Sequence, residues 1–142
     1  MIYTPNTKKA LKLCFEAHKD QLDKSGIPYV FHPFHLAEQM TDEDTTIVAL
    51  LHDVVEDTDY TFDDLAKMGF SESVIEALSL MTHGDDVPYM EYVAKLKNNP
   101  IAKTVKLADL AHNSDVTRLD VVDEKALKRR EKYAAAIRLL NE

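Results

Sequence analysis

Proline and glycine punctuate this chain in a way that leaves room for helices and little else. The five prolines, at positions 5, 28, 33, 88 and 100, each stand where an apolar-periodic stretch begins or a turn is due, and there are only three glycines. Thr4-Pro5 opens a first helix, whose Leu11, Phe15, His18 and Leu22 recur at three- and four-residue spacing until Ser25-Gly26 and Pro28 break it. Pro33 starts a second, with Phe34, Ala37 and Met40. A third, nearly all apolar, runs from about Asp44 to Asp57, and a fourth from Phe62 to Met68 lies between a Thr61 cap and a Gly69 stop. Ser71 caps a fifth that Gly84 ends. Pro88 opens a sixth through Leu96, and Pro100 a seventh to about Asp115. Asp123 caps a last one that carries Leu127, Ala134, Ile137 and Leu140. No alternating apolar and polar run supports a strand. The expected fold is a compact all-α bundle of about seven to eight helices, one domain over residues 1–142.

The third helix carries the chemistry. In Thr45-Thr46-Ile47-Val48-Ala49-Leu50-Leu51-His52-Asp53-Val54-Val55-Glu56-Asp57 the polar groups gather at the end of a greasy segment. At roughly 100° per residue, His52, Glu56, Asp53 and Asp57 fall at about 0°, 40°, 100° and 140° on the helical wheel, with the small Ala49 inside the same arc. Three carboxylates and an imidazole on one face of a core helix are costly to bury unless cations or donors satisfy them. A metal ion supplies that charge, and nitrogen plus carboxylate ligation suits Mn²⁺, Fe²⁺ or Zn²⁺. A second polar face lies in Val105-Lys106-Leu107-Ala108-Asp109, where Ala102, Lys106 and Asn113 sit within about 60° of Asp109. His32, just before Pro33, falls at or near a helix N-cap. Convergence of the two faces on one cleft would place a metal between them.

Composition narrows the function classes. A 45% hydrophobic content in 142 residues can close one core, and the formal charge of −8 repels phosphate backbones and anionic lipid. The one dense basic run, Lys125 to Lys132, alternates with Glu124 and Glu131 and reads as a solvated helix face, so neither nucleic acid nor a membrane surface is an expected partner. The single cysteine, Cys14, excludes an intramolecular disulfide framework and a cysteine-rich zinc cluster. Met1 to Lys9 lacks the apolar run of a signal peptide, and Ile47 to Leu51 falls far short of the ~20 residues of a membrane span. A cytoplasmic protein is expected.

The order His32, then His52-Asp53, then Asp109 resembles the HD metal-dependent phosphohydrolase superfamily. The surrounding blocks, Ala17-His18, Gln21, Lys24-Ser25-Gly26, Pro28-Tyr29, His32-Pro33, His52 to Thr58, Val105 to Asp109 and His112-Asn113, look like the hydrolase domain of RelA/SpoT-type enzymes, here as a stand-alone small alarmone hydrolase. The resemblance implies a Mn²⁺-dependent 3′-pyrophosphohydrolase cutting diphosphate from guanosine tetra- or pentaphosphate. It implies metal ligation by His32, His52, Asp53 and Asp109, and a catalytic pair in Glu56 and Asp57 that places and deprotonates the attacking water. Substrate contacts would come from Lys24, Tyr29, Lys106 and Asn113, and the partner would be a small nucleotide. Three positions depart from the family pattern: Asp23, Leu110 and Asp115 replace basic residues, the first of them one that stacks on the substrate base. Asp23 keeps open an alternative nucleotide, a nucleoside monophosphate or a 2′- or 3′-phosphorylated one. A catalytically silent nucleotide sensor is the third reading, against which stands the presence of all four ligands together with Glu56 and Asp57. His18, His35, His83 and His112 read as packing or loop residues.

Overall fold

The computed structural model describes residues 1–142 as nine α-helices and one 3-10 turn, with no β-strand beyond an isolated bridge between Leu22 and Pro28. The all-α expectation holds. The helices are α1 (Pro5–His18), α2 (Phe31–Glu38), α3 (Glu43–Leu51), α4 (Val54–Asp57), α5 (Phe62–Lys67), α6 (Glu72–Met81), α7 (Tyr89–Leu96), α8 (Pro100–Asn113) and α9 (Glu124–Asn141), with the 3-10 turn at Val116–Arg118. Most starts are capped as the sequence indicates. Thr4, Thr61, Ser71 and Asp123 each accept a backbone N–H of the first turn, and Thr4 and Thr61 form reciprocal capping boxes with Thr7 and Asp64.

The centre of the molecule is α3. Its residues Thr45 to Leu51 are all buried, and α1, α2, α6 and α8 pack around it. A helix apolar on every side has to be wrapped in this way. Asp42 fixes its start, accepting from the Thr45 N–H and the Thr45 hydroxyl, both at 2.8 Å. α8 lies against both α3 and α9, with Asn99 as its cap and Pro100 in its first turn.

Three sequence expectations shift. The single helix expected from about Asp44 to Asp57 is two, because the chain leaves regular helix at His52 and Asp53, where Asp53 adopts φ −106° and ψ 0°. This is the sparsely occupied bridge region, in which active-site residues are often found. The helical hydrogen bonds resume at once, Asp57 N–H donating to the Asp53 carbonyl at 2.9 Å. The first helix stops at His18, a turn short of Leu22, so its buried face is Thr7, Ala10, Leu13, Cys14 and His18, while Phe15 and Leu22 are exposed. A turn takes over after it: Asp23 Oδ1 accepts from the N–H groups of Ser25 at 2.8 Å and Ile27 at 3.0 Å, and Gly26 supplies the positive φ of 79°. The second helix begins at Phe31, so His32 lies inside its first turn, not at its cap, and Pro33 is tolerated because N–H groups there have no helical partner.

Candidate active site

Three elements meet at one point. α2 brings His32, the α3–α4 junction brings His52 and Asp53, and α8 brings Asp109; ligand atoms of His32, His52 and Asp109 all lie within 4.8 Å of one another, and all three residues are buried. His32 Nε2 is 3.0 Å from Asp109 Oδ1. His52 Nε2 is 3.6 Å from the same oxygen and 3.0 Å from Asp53 Oδ2. The other His52 nitrogen, Nδ1, donates to the Ala49 carbonyl at 2.7 Å. With that proton placed, a neutral ring would turn a lone pair, Nε2, toward carboxylate oxygens, and no oxygen is aligned with it for a hydrogen bond. Lone pairs facing one another in a buried hole require a cation or a proton between them. The donor set of imidazole nitrogen and carboxylate oxygen fits a divalent transition metal, and no cysteine belongs to the cluster.

The charges around the hole say the same. Burial disfavours a charge on His52, yet the carboxylates of Asp53 and Asp109 outweigh it and hold the imidazole well above its ordinary range. Burial likewise opposes ionisation of Asp53, and His52 together with the Tyr29 hydroxyl, which donates to Asp53 Oδ2, lowers it to about 2. Asp109 is buried too, and Lys106, His32 and His52 keep it well below the usual carboxylate range. Lys106 Nζ donates to Asp109 Oδ2 at 2.9 Å and Asn113 Nδ2 to Oδ1 at 2.9 Å, one turn before and one turn after it on α8. Lys106 also lies 5.2 Å from the centre of the Tyr92 ring.

Glu56 and Asp57 stand exposed at the rim on α4. Glu56 Oε1 accepts from the His83 N–H at 3.3 Å, and the Asp57 carbonyl accepts from Gln21 Nε2 at 3.2 Å. Both carboxyls are raised, first by partial desolvation and then by the negative charge of Asp53. They are therefore readier to hold a proton than free carboxylates.

Beside the hole opens a cavity of about 350 Å³ lined by Lys24, Tyr29 and Asn113. Three of the four residues expected to touch a substrate thus share one space, whereas Lys106 is engaged with Asp109. The cavity also holds Arg118 and Tyr133, to which the sequence assigns no role, and Arg129. Arg129 belongs to the basic run taken as a solvated face; its spacing from Ala126 and Tyr133, three and four residues, was the signal that it turns inward. Arg118 is fixed by three neighbours: Nη1 donates to the His112 carbonyl at 3.0 Å and to Asn113 Oδ1 at 3.3 Å, and Nη2 is 4.0 Å from Asp23 Oδ2.

The three non-basic positions have structural duties. Leu110 is core, Asp115 caps the 3-10 turn by accepting from the Thr117 N–H at 3.0 Å, and Asp23 builds the turn after α1. Two further histidines prove to be part of the surroundings. His18 is fully buried, with Nδ1 3.0 Å from Gln21 Oε1 and Nε2 without a partner. His112 Nδ1 lies 2.7 Å from His32 Nδ1; burial and the nearby Arg118, His32 and His35 lower its imidazole to about 4.

A family described as HD domain matches residues 10–138. Over 114 residues the chain is 37% identical to mouse guanosine-3′,5′-bis(diphosphate) 3′-pyrophosphohydrolase MESH1, covering 70% of this chain and 63% of that protein. It is 31% identical over 121 residues to the bifunctional (p)ppGpp synthase/hydrolase SpoT of Escherichia coli, and 31% identical over 137 residues to a probable GTP pyrophosphokinase of Mycobacterium leprae; these cover 75% and 87% of this chain. The chain spans only 17% of the length of each of those two relatives. A solved structure described as a metazoan ortholog of SpoT that hydrolyses ppGpp, with a role in starvation responses, superposes with a TM-score of 0.74 at 26% identity, covering 99% of this chain and 85% of its own.

Proposed function

This chain belongs to the HD-domain family, and from that premise we propose that it is a divalent-metal-dependent phosphohydrolase releasing diphosphate from the ribose 3′ position of guanosine tetra- or pentaphosphate. The observation that carries the reading is the buried, unpartnered Nε2 of His52 facing the carboxylates of Asp53 and Asp109, beside a cavity that gathers cationic and aromatic side chains. The names of the relatives support the substrate.

In this reading His32, His52, Asp53 and Asp109 hold the ion, and Mn²⁺ is the proposed one. When bound, a divalent ion supplies Lewis acidity at the attacked phosphorus and makes water a better nucleophile at neutral pH. The protein does the rest. Glu56 and Asp57, raised by partial desolvation and by Asp53, take the proton of the attacking water and orient it. Tyr29 anchors Asp53 through its hydroxyl while its ring lines the cavity. Lys24, Arg118 and Arg129 face the phosphates there, Asn113 reaches the ribose, and Lys106 offsets the charge of Asp109. A small nucleotide is the partner, and the proposed setting is cytoplasmic; no helix is long and apolar enough to cross a membrane.

One observation favours a second substrate. Asp23 lines the same cavity, and a carboxylate there disfavours a densely phosphorylated guanosine relative to a nucleotide with fewer charges. The test is a panel: Mn²⁺-loaded protein with guanosine tetraphosphate, nucleoside monophosphates and 2′- or 3′-phosphorylated nucleotides, scored for diphosphate and orthophosphate. Diphosphate from the tetraphosphate is expected. Orthophosphate from another member alone would move the assignment to that nucleotide, and no release with metal bound would turn it to a sensor.

A further inference from the structure

We propose that His112 is a positioning residue for the metal site: its Nδ1 accepts the Nδ1–H of His32, and so keeps the Nε2 of His32 bare toward the ion. A neutral imidazole carries one N–H and one lone pair, and only the bare nitrogen can ligate. Ligating histidines are held in that state by an acceptor at the other nitrogen. His52 has one in the Ala49 carbonyl, at 2.7 Å. His32 finds its partner in another ring, with Nδ1 2.7 Å from His112 Nδ1.

The geometry is that of an in-line N–H···N bond. The two ring planes differ by 5° and their centroids are 5.0 Å apart. That separation is the nitrogen–nitrogen distance plus one ring radius on each side, so the rings lie edge to edge in one plane and do not stack face to face. Two nitrogens at this distance share one proton, since two protons would collide and two lone pairs would repel.

Two tautomers follow. In the metal-free one, His112 donates from Nδ1, and His32 keeps its proton on Nε2, where Asp109 Oδ1 accepts it at 3.0 Å. In the metal-binding one, His32 donates from Nδ1 and Nε2 is bare. The exchange balances: the Nδ1 proton crosses from His112 to His32, the Nε2 proton of His32 leaves, and His112 Nε2 takes one up. The pair holds two protons before and after. Solvent can complete the step, because His32, His35 and His112 line an open cavity of about 440 Å³. Arg118 steadies the arrangement by donating to the His112 carbonyl at 3.0 Å. His112 stands three residues after Asp109, so one turn of α8 delivers a ligand and the group that prepares another.

This inference rests on the assignment of His32 as a ligand, and its test uses metal without nucleotide, so a wrong substrate leaves it intact. In protein labelled with ¹⁵N-histidine, long-range ¹H–¹⁵N spectra are expected to show His32 passing from Nε2–H to Nδ1–H, and His112 the reverse, when diamagnetic Zn²⁺ is added. His32 retaining Nε2–H in the loaded protein would overturn it. His112→Phe is expected to weaken Mn²⁺ binding by about 10–100-fold in an electron-paramagnetic-resonance titration. His112→Asn, which places an amide oxygen near the lost Nδ1, is expected to recover binding to within about threefold of the parent. Equal affinity in parent and His112→Phe with unchanged thermal unfolding, or no recovery in His112→Asn, contradicts the proposal. His32→Ala is the control: loss of Mn²⁺ there upholds the ligand, and retention would overturn both statements.

Discussion

A buried imidazole nitrogen ringed by carboxylate oxygens can be satisfied by a proton or by a cation, and the two compete. In the metal-free fold Asp53 and Asp109, prevailing over burial, hold His52 protonated beyond its ordinary range, and a cation must displace that proton. The sign follows directly: apparent metal affinity rises with pH and falls as pH drops, and loading releases protons into weakly buffered solution. Calorimetric titration between about pH 6 and pH 8 checks this, and an affinity flat with pH would contradict it. Asp53→Ala is expected to remove metal and turnover together; metal retained by elemental analysis would refute the ligand assignment. Glu56→Gln, which keeps shape and removes the base, is expected to retain the metal and lower kcat by about 10²–10⁴-fold. These residue types and spacings were legible in the sequence, because a polar cluster at the end of an apolar helix has few explanations. The proton-holding partners were not. That His52 donates to Ala49, or that His32 meets His112, depends on ring orientations that spacing does not encode.

At the scale of elements, the site depends on where α3 stops. The break at His52 and Asp53 takes the two residues out of regular helix and sets Glu56 and Asp57 on a separate short segment at the rim. A wheel drawn on a continuous helix keeps His52, Asp53, Glu56 and Asp57 on one arc, and the hydrogen bonding does resume within one turn; the break between α3 and α4 is not encoded in that spacing. Similarly, the end of α1 was misplaced because Asp23 and Gly26 form a turn that overrides the apolar spacing to Leu22. Prolines and caps marked the remaining starts well, since each acts on its own first turn. The buried stretch Thr45 to Leu51 of α3 gives this a measurable form: Asp42→Ala removes the acceptor for Thr45 and is expected to lower unfolding stability by about 1 kcal/mol in chemical denaturation, whereas no change would mean that packing alone sets the start of α3.

Across the whole molecule, an acidic chain of net charge −8 brings Lys24, Arg118 and Arg129 to one cavity. The three come from the loop after α1, the 3-10 turn and α9, segments distant in sequence, and for that reason their convergence on one cavity is not legible from spacing. The hole between α2, α3, α4 and α8 likewise ties the bundle together, so ligand occupancy should stabilise it. Metal at about 100 times its Kd adds about 2.7 kcal/mol to unfolding stability. Chelation should accordingly lower Tm by several degrees in a thermal melt, and an unchanged Tm would show that the ion contributes nothing to the fold. The most direct measurement is ³¹P NMR, recorded after the paramagnetic ion is removed, of guanosine tetraphosphate incubated with the Mn²⁺-loaded protein and with Asp53→Ala. Free diphosphate and guanosine 5′-diphosphate with the parent, and an unchanged spectrum with Asp53→Ala, are the expected result; orthophosphate as the product, or no reaction by a metal-loaded parent, would contradict it.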